Sequence, residues 1–269
     1  MRKTLLWILA VIITLAAAVY QRMTGPTYPY RGKADVGGTE IKFKLPRSAE
    51  NVKDCEVSIK APAADIAGTV EYKRYKTEDP WTEIPMDRKD DKLVAFLPKQ
   101  PVAGKLAYAV LLLKDEKKVS LTGADPIVIR FKGEVPMAVL IPHVLIMFLA
   151  MLFSTRAGLA ALDRKSNPRK LALWAAALLF IGGFILGPLV QHFGFGPYWT
   201  GFPLGFDLTD NKTLIAMIGW IIALIAGRKG KPARVWVLAA AILLLIVYTI
   251  PHSLLGSELD YSKLSPPTK

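Results

Sequence analysis

PMAVLIPHVLIMFLAMLFST, residues 136–155, is a run of twenty residues without one Asp, Glu, Lys or Arg. At a rise of about 1.5 Å per residue a helix of that length spans about 30 Å, the thickness of a bilayer's hydrocarbon core. The stretch therefore reads as a membrane-spanning helix. The connector that follows, residues 156–170, carries Arg156, Arg164, Lys165, Arg169 and Lys170 against Asp163. Short basic connectors stay on the cytoplasmic side, so this one fixes a direction.

Working outward, four more apolar runs occupy residues 5–20, 171–190, 213–227 and 235–255. Arg228, Lys229, Lys231 and Arg234 join the last two, and Arg2 and Lys3 precede the first. One topology satisfies all five segments: amino terminus inside, residues 21–135 outside, loop 191–212 outside, carboxyl terminus outside. The expected location is the inner (plasma) membrane of a cell, multi-pass. Segment 5–20 reads as an uncleaved anchor within residues 1–22, with a cleaved signal peptide as the alternative because Ala16-Ala17-Ala18 fits a cleavage site.

The composition of the 269 residues agrees: 52% are hydrophobic, 21% charged, and the mean hydropathy is +0.32. A formal charge of +13 invites a polyanion partner. Residues 31–135, however, hold 20 basic and 17 acidic side chains, and most of the excess lies in the connectors and amino terminus. The charge marks orientation, and nucleic acid is not an expected partner. Cys55 is the only cysteine, so no intramolecular disulfide staples the chain. It reads as a small buried residue of a strand over 54–60.

Between residues 39 and 131 the pattern changes to short alternating runs broken by Pro, Gly and Asp. Strands are expected at 40–45, 54–60, 68–76, 92–97, 105–113, 117–121 and 126–131, with a hairpin turn at Lys114-Asp115-Glu116. The stretch Val70-Glu71-Tyr72-Lys73-Arg74-Tyr75, with Trp81, Ile84-Pro85-Met86, Leu97-Pro98 and Leu106-Ala107-Tyr108, resembles extracytoplasmic fibronectin type III or immunoglobulin-like modules. The resemblance covers about a third of the chain and implies an architecture, a two-sheet sandwich, and no activity. The expected fold is thus a membrane α-helical bundle of five segments with an inserted all-β sandwich at 31–135. A four-helix membrane domain at 136–255 and a tail at 256–269 complete it. The loop stretch 187–212 and the string 251–260 also resemble strings of uncharacterised bacterial inner-membrane proteins, which implies no reaction.

All three histidines, His143, His192 and His252, fall in the outer layer of this topology. Two share a string, Ile141-Pro142-His143 and Ile250-Pro251-His252, and an ionisable group as deep as His143 is costly without a partner. Asp207, Asp210, Glu258 and Asp260 lie on the same side. Imidazoles with a carboxylate are usual ligands of zinc, copper or iron, and two histidines can hold haem. The expected site joins His143, His192, His252, Asp207 and Glu258. Thr209 or Asp210 is expected to cap the fourth segment, leaving Asp207 as a ligand. The glycine- and aromatic-rich stretch 194–207 is expected to fold back over the helix ends.

Three functions follow as expectations: a metal- or haem-binding membrane protein whose sandwich is a lid or docking module, a non-catalytic assembly subunit binding a protein partner through the sandwich, or a metal-dependent membrane hydrolase or transferase. No nucleophile elbow, phosphate loop, CxxCH or His-Glu-x-x-His string is present, and Ser253 beside His252 is no catalytic pair.

Overall fold

Alanine and glycine, where a water-soluble bundle would bury leucine, fill the interior of the helical half of this chain. A computed structural model describes residues 2–228, 233–252, 254 and 258–263. Lys229 and Lys231 of the second connector, Ser253, and Leu255 at the end of the fifth segment lie outside the described residues. The described chain divides into two compact units, Met1–Pro26 with Val135–Ser257, and Thr27–Glu134 with Glu258–Lys269.

The first unit holds α1 (Arg2–Thr24), α2 (Met137–Leu162), α3 (Arg169–Phe180), a π-helical stretch (Ile181–Leu186), α4 (Gly187–Phe195), α5 (Leu208–Ala226) and α6 (Arg234–Thr249). Four helices, Lys3–Thr24, Met137–Leu162, Arg169–Phe195 and Leu208–Ala226, are long and apolar enough to cross a membrane; Arg234–Thr249 is a shorter apolar helix. Ala150, Ala157, Ala160, Ala172, Ala175 and Ala216 are buried, while Ile12, Phe148, Trp174, Phe180, Ile215 and Ile222 are exposed. Small residues inside and large apolar ones outside is the arrangement that lets helix backbones approach in lipid. At Gly158 an added Cβ would lie 2.8 Å from the Ala241 Cβ, so α2 and α6 meet there only through glycine.

Two boundaries differ from the sequence expectation. The fourth segment, expected to start at residue 213, begins at Leu208, because Asp207 accepts a hydrogen bond from the Thr209 N–H at 2.8 Å and caps the helix there. The cap is therefore Asp207, and neither Thr209 nor Asp210. The third segment continues without a break to Phe195, so the loop shrinks to residues 196–207. That loop is tied to its neighbours: Asp210 Oδ2 accepts from Thr200 N at 2.7 Å, Asn211 Oδ1 accepts from Phe202 N at 2.7 Å, and Gln191 Nε2 donates to Thr200 Oγ1 at 2.7 Å. At the opposite, basic end, Arg234 donates to the carbonyls of Asp163, Arg164 and Ser166 at 2.5 to 2.8 Å, closing the end of α2.

Among the described residues the second unit contains eleven strands where seven were expected: β1 (Tyr30–Val36), β2 (Thr39–Leu45), β3 (Ser48–Glu50), β4 (Cys55–Lys60), β5 (Ala67–Arg74), β6 (Thr82–Pro85), β7 (Asp87–Lys89), β8 (Lys92–Leu97), β9 (Lys105–Lys114), β10 (Lys117–Ser120) and β11 (Ile127–Lys132). They form three sheets: β1-β2, β4-β8-β7, and β3-β11-β9-β5-β6 with β10 also on β9. The alternation of β9 buries Leu106, Tyr108, Val110 and Leu112, which join Ile41, Val57, Leu97, Ile129 and Phe131 in one core drawn from all three sheets. Tyr108 is fully buried with its hydroxyl donating to the Pro46 carbonyl at 2.7 Å. Asp115 and Glu116 take positive φ in the two-residue turn between β9 and β10, as a tight hairpin requires. Trp81 is exposed, with the Lys73 ammonium 5.4 Å from its ring centroid. Burial pushes the Cys55 thiol up to about 11, with the Glu56 charge adding to it, so the cysteine stays a neutral thiol.

Candidate functional site

His143, the seventh residue of α2, turns its ring toward the π-helical stretch, and its Nδ1 lies 3.0 Å from the Gly182 carbonyl oxygen. A carbonyl oxygen only accepts, so Nδ1 carries the proton and Nε2 is left as the acceptor of the neutral ring. The approach depends on glycine: a Cβ on Gly182 would lie 2.5 Å from Met147 Sδ, one turn along α2 from His143. The π-helical register matters as well, because Gly182 O also accepts the Gly187 N–H five residues on. The two Ile-Pro-His strings have different settings. Pro142 lies inside α2, whereas Pro251 follows the C-cap Ile250 of α6.

His143 and His252 line one cavity of about 330 Å³. Its other walls are Ala18, Gln21 and Arg22 from α1, Val144, Met147, Phe148 and Met151 from α2, and Tyr248 from α6. Gln21 Nε2 donates to the Tyr248 carbonyl and, at 3.2 Å, to that of Ile250. Lys212, only 5% exposed, donates from Nζ to the same Ile250 carbonyl at 2.6 Å. These donors satisfy carbonyls that the end of α6 leaves without helical partners. The Tyr248 hydroxyl donates to Met147 O at 3.1 Å and lies 3.5 Å from Met147 Sδ.

The other expected ligands are engaged elsewhere. His192 stacks on Tyr198, with ring centroids 4.0 Å apart and planes within 3°, and its Nδ1 is hydrogen bonded to the Gly196 carbonyl. It closes the end of α4. Asp207 caps α5. Glu258 belongs to the β unit, where it pairs with Lys105 at 2.8 Å and Lys76 at 3.2 Å. Burial alone would raise the Glu258 pKa, but hydrogen bonds and charge from Lys105, then Lys76, outweigh it and hold the carboxyl below its ordinary value. Among the described residues no three of His, Cys, Asp and Glu gather where they could hold a metal ion. The five expected residues are thus not drawn to one point: His143 and His252 share a cavity, and the two carboxylates are committed to a cap and an ion-pair clasp.

A second hollow, about 660 Å³, lies within the β unit between the turn after β5 and the segment Glu258–Ser262. Arg74, Lys76, Glu258 and Asp260 on its walls are each in an ion pair. Arg74 grips Asp79 through two hydrogen bonds of 2.5 and 2.8 Å and lies over the Tyr261 ring, 5.2 Å from its centroid. The Tyr261 hydroxyl accepts from Lys105 N at 2.9 Å, and Tyr261 is 8% exposed. The hollow is the seam where this tail segment is fastened to its own unit.

Lys212, Gln21, Tyr248 and the thioethers of Met147 and Met151 were not anticipated as parts of a site. The available signal was Lys212, a lysine next to an apolar run, which is read as loop when the segment is closed at the first charge. Compared with family models, curated proteins and solved structures, the chain finds no match.

Proposed function

We propose that this chain is an integral protein of the inner (plasma) membrane whose helical unit binds a membrane-soluble amphiphile in the His143–His252 cavity. Its β unit, in this reading a sandwich built from the three sheets, faces the extracytoplasmic side as a docking module. The observation that carries the proposal is the gradation of the cavity's lining along two helices. On α1, Gln21 and Arg22 lie at the helix end and Ala18 a turn deeper; on α2, His143 lies near the helix start and Val144, Phe148 and Met151 follow deeper. Polar groups converge at one end and apolar walls at the other, over about 12 Å of helical rise between residues 143 and 151. A mostly apolar pocket with a few convergent polar groups is the usual form of a ligand site. Val144 and Phe148 are each 40% exposed on a face that lipid covers in this reading, which supplies an entry from the bilayer.

The test is mass spectrometry of purified protein in a neutral detergent. A specific amphiphile should be retained by the wild type and lost on Val144→Trp, which fills the cavity. Equal retention by both would remove the proposal. Orientation has its own test: reporter fusions after Gly133 and Lys269 should read as exported, and one at Ser166 as cytoplasmic.

A second reading is favoured by one observation. A histidine whose Nδ1–H is fixed on a carbonyl is oriented as metal-ligating histidines usually are, and Met147 and Met151 follow His143 at four-residue spacing on the same helix. Imidazole with thioethers suits a soft ion such as copper(I). Elemental analysis and an absorption spectrum decide it, since stoichiometric copper or a Soret band would replace the amphiphile reading.

A further inference from the structure

Resting on the amphiphile reading, we infer that the ligand's head is a neutral hydroxyl, as in an alcohol, a phenol or a hydroquinone, which gives its proton to an acceptor on the cavity wall. Three polar side chains of that wall have spent their donors on the main chain. His143 donates its one proton from Nδ1 to the Gly182 carbonyl, both Gln21 Nε2 protons go to the carbonyls of Tyr248 and Ile250, and the Tyr248 hydroxyl donates to that of Met147. What these side chains still offer is acceptors: His143 Nε2, Gln21 Oε1 and the Tyr248 oxygen, with the Met147 and Met151 thioethers as weak ones. Neither Nε2 nor Oε1 has a partner among the described residues, and neither atom is sealed off by protein, so both reach open space; the hollow that the two side chains line together is the cavity. Arg22 stands exposed at the end of α1 and has a partner of its own, and a neutral His252 ring brings one donor and one acceptor.

An acceptor-lined pocket in apolar surroundings selects a head that donates. A desolvated acceptor left without a proton costs free energy, so an ether or an ester, which only accepts, leaves His143 Nε2 and Gln21 Oε1 bare. A hydroxyl donates one bond and accepts two, so it serves Nε2 or Oε1 while taking the His252 N–H in return. An ammonium also donates, but it enters beside Arg22 with no Asp or Glu among the described residues of the walls to compensate it. The pocket therefore selects both neutrality and an O–H group. Val144, Phe148 and Met151, deeper along α2, take the start of the apolar chain.

The experiment measures retention, by the full-length protein in neutral detergent, of four probes that share one eighteen-carbon chain: oleyl alcohol, oleyl methyl ether, methyl oleate and oleylamine. Signal that survives in Val144→Trp is subtracted as micelle partition. Oleyl alcohol should be retained roughly tenfold over the methyl ether, which lacks the donated proton, and over the ester and the amine. His143→Phe keeps a ring in place and removes Nε2, and Gln21→Met removes Oε1. The alcohol-to-ether ratio should fall toward one in at least one of the two, with ether retention unchanged, and the larger fall identifies the acceptor that takes the proton. Should either variant fail to fold, the wild-type ratio decides. Ether or ester retained as well as the alcohol, oleylamine retained above it, or a ratio unmoved in both folded variants overturns the inference while the amphiphile pocket stands. A wild type that holds none of the four probes, yet keeps a native amphiphile that Val144→Trp loses, overturns the hydroxyl head alone; with neither retained, both readings fall.

Discussion

The two units of this chain solve the burial problem in opposite ways. In the β unit large side chains go inside: Tyr108, Phe131, Leu97, Leu112 and Ile129 are fully buried. In the helical unit alanines predominate inside and Ile12, Trp174, Ile215 and Ile222 face out, with Trp220, Leu179, Leu244, Met151, Met217, Val237 and Val247 the larger apolar residues that are buried. Water drives apolar area out of contact with itself, so a domain in water hides its largest residues. Lipid offers no such drive between helices, and close packing of small residues replaces it. The contrast is a physical argument for lipid around one unit and water around the other, independent of hydropathy counts.

The comparison breaks most visibly at Phe131. Truncation to alanine should cost about 3–5 kcal/mol of β-unit stability, through lost transfer energy and the cavity left behind. Ile222→Ala, on an exposed helix face, should stay within about 0.5 kcal/mol. Hydrogen exchange of the β9 amides and thermal unfolding in detergent measure the two. A costly Ile222→Ala would mean that this face packs on protein. Next in size is the reverse change, small to large, inside the helical unit. Gly158→Leu, placed where a Cβ already meets Ala241 at 2.8 Å, should cost about 1–3 kcal/mol and lower the melting temperature in detergent. An unchanged melting temperature would show that α2 and α6 do not meet there.

A smaller effect separates the cap from the ligand reading of one carboxylate. Asp207→Ala should cost about 1 kcal/mol of α5 stability, seen as faster exchange of the first-turn amides, and Asp207→Asn should recover most of it. A cap needs only the side-chain oxygen. If Asn failed to rescue while ligand retention fell equally in both variants, the carboxylate charge itself would belong to the site.

How much of this was legible in the sequence depends on what a one-dimensional pattern encodes. The apolar helices were legible because length and absence of charge are properties of a run. Strands such as β9 were legible because alternation marks a half-buried sheet. β3, β6 and β7 have three or four residues, too short to display a period, and β1 carries Arg31, Gly32, Lys33 and Asp35. Their pairing is set by neighbours distant in sequence. For the site, depth along a helix could be counted from residue number, but not the face. His192 and His143 were expected in one layer, yet one ring stacks on Tyr198 and the other is turned to Gly182. Lys212 was hidden for a related reason. A charge ends an apolar window, whereas in three dimensions its ammonium reaches the Ile250 carbonyl.

The smallest expected effect tests whether the tail's fastening to the β unit is ionic. Lys105 and Lys76 hold the Glu258 carboxyl below its ordinary value near 4.5, and Arg74 holds Asp79 down to about 2 from 3.8. For a depressed acid the stabilisation is complete above the unfolded pKa and is lost as pH falls through the folded one. The Glu258 contribution should therefore persist at neutral pH and fade below pH 4.5, and that of Asp79 should fade between pH 3.8 and 2. Both groups face solvent, so each is worth about 1 kcal/mol or less, and salt should reduce it. The readout is exchange of the Leu259 amide, which donates to the Ala103 carbonyl at 3.2 Å. The amide's protection factor, the intrinsic exchange rate at the same pH divided by the observed one, should fall on acidification, and Glu258→Gln should show the lower protection already at pH 7. Equal protection at pH 3 and pH 7 would assign the fastening instead to Tyr261, whose buried ring and hydroxyl contacts to Lys105 and Gln100 carry no charge to titrate in that range.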